Sequence, residues 1–145
     1  MNDTGNSSLP KPKIDQEKLQ EHRHIYEELL GFVPPRIQAR TEILGRLDPE
    51  FLSLQEEIRK RGMYPDVFDV KTVQLMLFGM LLLSLRDAAR IHGIAARRSG
   101  ATWEEMQAVV NLAYLYGGLS AANIGAQFIQ QIAEMEAEQE TGGEA

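Results

Sequence analysis

Ile91-His92-Gly93, followed by Gly100-Ala101-Thr102-Trp103-Glu104-Glu105-Met106, is the stretch on which the fold turns. Gly100 is placed to end one helix, because glycine adopts the left-handed conformation in which helices commonly stop. Thr102 and Glu105 then form a capping box: the threonine hydroxyl takes the amide of Glu105, and the Glu105 carboxylate reaches back to the amide of Thr102. A new helix starts there. Upstream, Ala88, Ile91, His92 and Ala95 recur at i, i+3, i+4 and i+7, the spacing of one helix face. That spacing puts the one mid-chain histidine on an apolar stripe.

The same two signals, caps and helical periodicity, extend the reading in both directions. Met106, Val109, Val110, Ala113 and Gly117 form an inner stripe, Gly117-Gly118 reads as a break, and Ala121, Ile124, Gly125, Phe128, Ile129 and Ile132 mark a last helix. On the other side, Asp69 can cap a helix from Val70 to about Leu85 that is apolar nearly all round. Such a helix belongs at the centre of a domain or at a subunit contact, and Gly79 allows close approach. Asp48-Pro49-Glu50 opens a helix with Phe51, Leu52, Leu54 and Ile58 on its buried side, and Pro35 opens one to about Arg46 with Ile37, Ile43 and Leu44 inward. Leu19, Ile25, Tyr26, Leu29 and Leu30 define a first helix that Gly31 stops. No run alternates convincingly as a strand does. The expected fold is all-α: a single domain of about seven helices over residues 14–133, between a disordered N-terminal arm (1–13) and an acidic disordered tail (134–145).

Composition narrows the function. With 145 residues the chain can bury roughly two thirds of its unfolded surface, so its core needs no metal or disulfide staple. The net charge is −6, and the five glutamates after residue 133 leave only −1 for everything before them. A nearly neutral body lacks the concentrated basic surface that nucleic-acid binding requires. There is no cysteine, which removes disulfides, thiolate metal ligands and cysteine nucleophiles. The polar start, Met1 to Lys13, carries no apolar signal region, so the expected location is cytoplasmic. The apolar run Leu75 to Leu83 is far short of the roughly 20 residues of a spanning helix, and no membrane association is expected.

Few residues remain as carriers of chemistry. His92 has Ala95 and Ala96 where a second metal ligand at i+3 or i+4 would stand, and His22 and His24 lie on opposite sides of a helix, so no metal site is expected. Both of those histidines read as solvent-side residues. Ser84 and Ser120 have no spacing that brings them to a base. His92 itself is either a core residue bonded to a backbone carbonyl or a group that moves protons. Gln74 is either a helix-surface amide or an amide pointing between helices. Tyr114 and Tyr116 either offer a phenol to a pocket or pack with their hydroxyls at a wet edge.

Several segments in order, Leu47-Asp48-Pro49-Glu50-Phe51, Phe68-Asp69-Val70-Lys71-Thr72-Val73-Gln74-Leu75, Arg90-Ile91-His92-Gly93, Ser99 to Met106 and Tyr116-Gly117-Gly118-Leu119-Ser120-Ala121-Ala122, resemble the carboxymuconolactone decarboxylase family with its alkylhydroperoxidase-like members. The resemblance covers about residues 47–130, and Gly31-Phe32-Val33-Pro34-Pro35 is similar to the segment that leads into many members. It implies an alkylhydroperoxidase-like homo-oligomer, commonly a trimer or hexamer, with a pocket near the family histidine, here His92. Gln74 stands where the family usually has a glutamate, and Leu85 and Ala88 stand where the peroxidase branch has its cysteines. The implied activity is therefore a cofactor-free lyase or lactone-processing reaction of aromatic-compound catabolism, not thiol peroxidation. His92 would move the proton, Gln74 and Tyr116 would lie nearby, and Arg86, ahead of Arg90, would anchor an anionic lactone substrate. The alternative is a non-catalytic oligomeric member that binds a small ligand or serves as a subunit.

Overall fold

The computed structural model describes residues 8–143, and among these every regular element is a helix. The elements are α1 (Gln16–Leu30), α2 (Pro35–Leu47), α3 (Pro49–Met63), α4 (Val70–Leu83), α5 (Ala88–Arg98) and α6 (Trp103–Gly142). The start and stop signals act as read: Asp69 accepts from Thr72 N, Gly31 closes α1 with φ 83°, Pro35 begins α2, and both halves of the Thr102–Glu105 capping box form. Asp15, which the sequence reading did not single out, caps α1 by accepting from Glu17 N. Six elements stand where seven helices were expected because α6 comprises two helices that meet at a kink at Gly118, the break read at Gly117-Gly118. Its φ of 69° and ψ of −163° lie outside the helical region. Only glycine takes such a conformation at little cost. Beyond Gly118 the chain folds back so that Gly125 stands against Val110.

Where one domain was expected, the chain divides into two compact units, residues 1–63 and 64–145. In the first, α1 packs on α2 and α2 on α3 around Leu19, Tyr26, Leu30 and Leu52. Residues 8–13 carry no regular structure, yet the arm is held at its end. Lys13 N and Ile14 N both donate to Gly45 O, and Arg46 Nη1 donates to Pro10 O at 2.8 Å. Ile14 lies so close to Gly45 that a Cβ there would come within 2.8 Å of its Cγ2. Residues 1–7, the rest of the expected arm, lie outside the described residues.

The inward face of this unit differs from the apolar reading. Ile43 on α2 and Phe51, Leu54 and Ile58 on α3 are exposed, while Thr41, Gly45, Leu52 and Glu56 are buried. The helices are turned by their polar contacts. Thr41 Oγ1 receives Arg23 Nε at 3.0 Å and donates to Gln38 O, and Glu56 is drawn in by Tyr26, Arg40 and Arg59. Three hydrogen bonds and two ion pairs on one carboxylate outweigh the burial of a neighbouring apolar side chain.

In the second unit, α4 packs against both α5 and α6 around Phe78, Leu82, Ile94, Met106, Val110 and Ile132. Small residues set the spacing. A Cβ on Gly93 would lie 2.7 Å from Ile132 Cδ1, and one on Gly79 would lie 2.9 Å from Val109 Cγ1. The helix does not stop at residue 133 as the acidic composition suggested. Arg97 donates to Glu136 at 3.0 and 2.8 Å, stacks over Trp103 at 3.7 Å and caps Ala101 O at 2.6 Å. With Ile132 buried and Glu136 clamped, Glu138 and Glu140 ride on a helix that is already nucleated. The tail's last two residues, 144–145, lie outside the described residues.

Candidate functional site

Gln74 stands one turn into α4, and Phe78 and Leu82 continue its face at i+4 and i+8. That is the face α4 turns inward, so the amide is fully buried, with 0% of its surface exposed. A surface position is thereby excluded. His92 stands one turn into α5 and is half-buried. Its neighbour Gly93 lets the α5 backbone approach Phe78, Met106 and Ile132, which carries the imidazole up to α4. The two side chains meet: His92 Nδ1 lies 2.7 Å from Gln74 Oε1.

That contact has a chemical direction. An amide oxygen only accepts, so Nδ1 carries a proton and donates it to Oε1. In the neutral ring the lone pair then resides on Nε2, the atom able to take or deliver a proton. Nδ1–H persists when Nε2 is protonated, so Gln74 holds the ring in the same pose in both charge states. A carboxylate in its place would also attract the imidazolium; the amide orients without adding charge.

The other sequence-derived site residues lie at exposed positions. Tyr116 is 89% exposed. Arg86 is exposed in the turn between α4 and α5, where its N donates to Leu81 O and its O accepts from Ala89 N. Leu85, just before it, sits at φ 53°, the left-handed region that a leucine adopts only when the surrounding turn requires it. Among the described residues no group of three or more His, Asp or Glu side chains is placed to hold a metal ion. No described helix is long and apolar enough to cross a membrane.

A second polar cluster, in the 1–63 unit, escaped the sequence reading. Glu56 Oε1 accepts from the Tyr26 hydroxyl at 2.9 Å and from Arg40 Nη2 at 2.6 Å, and Arg59 Nε and Nη2 both lie 2.9 Å from Oε2. Arg40 also donates to Gln55 Oε1 and to the Tyr26 hydroxyl, and the Arg59 guanidinium lies 4.3 Å over the Tyr26 ring. Burial pushes the Glu56 carboxyl up, but the Arg40 hydrogen bond, the Arg59 charge and the Tyr26 hydroxyl together hold it below its ordinary value. Burial, opposed by Arg59 and aided by Glu56, pushes the Tyr26 phenol up to about 12. His22 is half-buried rather than solvent-side, 3.4 Å from Ser53 Oγ. Its pKa is lowered by burial in spite of the Glu56 charge. His24, by contrast, is exposed and pairs with Glu27 and Glu28 on its own helix. One signal for the cluster was present in the sequence: Glu56 follows Leu52 by four residues and so shares its face.

Comparison with protein-family models, with curated proteins and with solved structures finds no match to this chain.

Proposed function

We propose that the chain is a small-molecule enzyme of carboxymuconolactone decarboxylase type, an alkylhydroperoxidase-like fold in which His92 transfers a proton. The observation that carries this reading is the 2.7 Å contact between a half-buried imidazole and a fully buried amide. A polar group buried on the inner face of an apolar helix and bonded to a half-buried imidazole is the arrangement of a positioned acid or base rather than of a packing residue.

In a decarboxylation of an unsaturated carboxylated lactone, the bond between ring carbon and carboxylate breaks and CO₂ leaves. The electron pair delocalises toward the lactone carbonyl, and carbon then takes a proton. His92 delivers that proton from Nε2, while Nδ1–H stays on Gln74 throughout. No cofactor enters this scheme. Arg86, exposed as it is, serves as an anchor for a substrate carboxylate only at the rim of such a site. A chain without cysteine has no means of thiol peroxidation. The decisive experiment is turnover of a carboxylated unsaturated lactone by the purified protein and by His92→Gln. Loss of turnover with retained assembly supports the mechanism; equal turnover removes it.

The same reading includes self-association as a trimer or hexamer. Leu112, Leu115 and Tyr116 on α6 and Met76, Met80 and Leu83 on α4 are large apolar side chains left exposed. No charged residue occurs from Met106 to Ala133. Exposed apolar side chains that form one patch are normally covered by a partner. Light scattering coupled to size exclusion tests it, and a monomer at micromolar concentration overturns it. A second reading, a non-catalytic oligomeric module, draws on the same face and on Gln74 being an amide rather than a proton acceptor. Any lactone or peroxide turnover that depends on His92 eliminates that reading.

A further inference from the structure

The Gln74 amide has two polar ends, and only one of them is satisfied. Oε1 takes the Nδ1 proton of His92, whereas Nε2, which brings two N–H donors, is buried and has no hydrogen-bond partner among the described residues. A buried donor left unpaired destabilises a fold, and a leucine or methionine of similar size would carry no such penalty. Phe78 and Leu82, on the same face of α4, show the filling that packing alone selects. Orienting His92 requires the amide oxygen; it does not require the NH₂.

We propose that Gln74 Nε2 is a substrate-binding donor, and that the ligand is a small, mostly apolar molecule presenting a neutral carbonyl oxygen: a ketone, an ester or a lactone. The acceptor follows from the chemistry of Nε2, which donates and cannot accept. Neutrality follows from the surroundings. No charged residue occurs from Thr72 to Leu85, the Gln74–His92 pair has no net charge with the ring neutral, and Arg86 and Arg90 are both exposed. A carboxylate brought to a fully buried amide with no cation beside it is strongly disfavoured, while a carbonyl loses little. Where a substrate carries both groups, its carbonyl faces Gln74 and its carboxylate faces outward. The amide then binds the oxygen toward which charge moves during the reaction proposed for His92.

This inference deepens the proposal for His92 and rests on it for the location of the site, but it is read out by binding rather than turnover. The experiment uses the full chain labelled with ¹⁵N, the unsaturated lactone butenolide as probe, and cyclopentene as a ring of similar size without the oxygen. The Gln74 side-chain NH₂ resonances, assigned by their loss in Gln74→Met, are expected to move downfield and saturate with butenolide and to stay in place with cyclopentene. Butenolide should bind Gln74→Met about tenfold more weakly, the effect of one lost hydrogen bond, and Gln74→Glu, which sets an anion against the carbonyl, more weakly still. Equal affinity in wild type and Gln74→Met, equal shifts from both ring compounds, or no saturable shift overturns the assignment. Where Gln74→Met does not fold, the NH₂ pair is assigned instead by its nuclear Overhauser contacts to the His92 ring, and the comparison of the two probes on wild type still decides the matter. Butenolide binding through Gln74 without lactone turnover would defeat the enzymatic reading and leave this one intact. Turnover indifferent to Gln74 would do the reverse.

Discussion

Replacing Glu56 by glutamine keeps the shape of the side chain and removes its charge. The expected loss of stability is about 3–5 kcal/mol, the range for deleting one partner of a buried ion pair. Glu56 is 6% exposed, and every group facing its two oxygens is a donor: the Tyr26 hydroxyl at 2.9 Å, Arg40 at 2.6 Å and Arg59 at 2.9 Å. Glutamine offers one oxygen and one NH₂, so in either orientation its NH₂ confronts a guanidinium. Two cations are then left in one partly buried place with no anion between them. At an exposed site the same change would be worth about 0–1 kcal/mol, so the magnitude tests the burial directly. The measurement is urea unfolding at pH 7, with the midpoint and slope compared between wild type and variant.

Acidification supplies a second check on Glu56→Gln. The folded protein holds the Glu56 carboxyl below 4.5, its ordinary value, so the unfolded chain binds that proton more readily. The contribution of Glu56 is therefore fully present above about pH 4.5 and is lost as pH falls through the lower folded value. The gap between wild type and variant should narrow on acidification, since glutamine does not titrate. A gap under about 1 kcal/mol at neutral pH, or one that does not change in acid, would refute the burial and pairing argued for this cluster.

Three further outcomes are expected. The Tyr26 phenol is pushed from 10.0 to about 12, so folding favours its neutral form; that contribution is complete below pH 10 and lost between 10 and 12. Two units correspond to roughly 3 kcal/mol, and an alkaline titration of Tyr26→Phe should lack this limb, the idea failing where the two proteins lose stability in parallel. Gly125→Ala would set a Cβ 2.7 and 2.8 Å from both γ-methyls of Val110, whose stiff side chain has nowhere to turn, whereas Gly62→Ala in α3 meets nothing within 4 Å. Thermal melts should show Gly125→Ala destabilised by about 1–3 kcal/mol and Gly62→Ala gaining up to about 1 kcal/mol; stabilisation by both would contradict the packing of the two halves of α6 on each other. Thr102→Ala removes the hydroxyl that accepts from Glu105 N at 3.1 Å, and should lower stability by about 1 kcal/mol, with no change at all speaking against the cap.

The sequence by itself determined the helices and much of their limits, because those signals act within a turn or two of the chain. Asp15, Asp69 and Thr102 cap their helices through the next residues, Gly31 ends α1, and the period of 3.6 marks α5. It also singled out His92, a polar residue on the apolar stripe of its helix, and Gln74, which opens an apolar run. Tertiary structure alone decided that these two touch. It decided as well which way α2 and α3 turn. Glu56 meets Tyr26 from 30 positions away and Arg40 from 16, and Arg97 reaches Glu136 across 39, so that a tail rich in glutamate continues as helix. The physical reason is range. A cap or a glycine stop is satisfied by its own neighbours, whereas a buried charge is tolerated only where distant segments bring its partners, and no periodicity announces who they are.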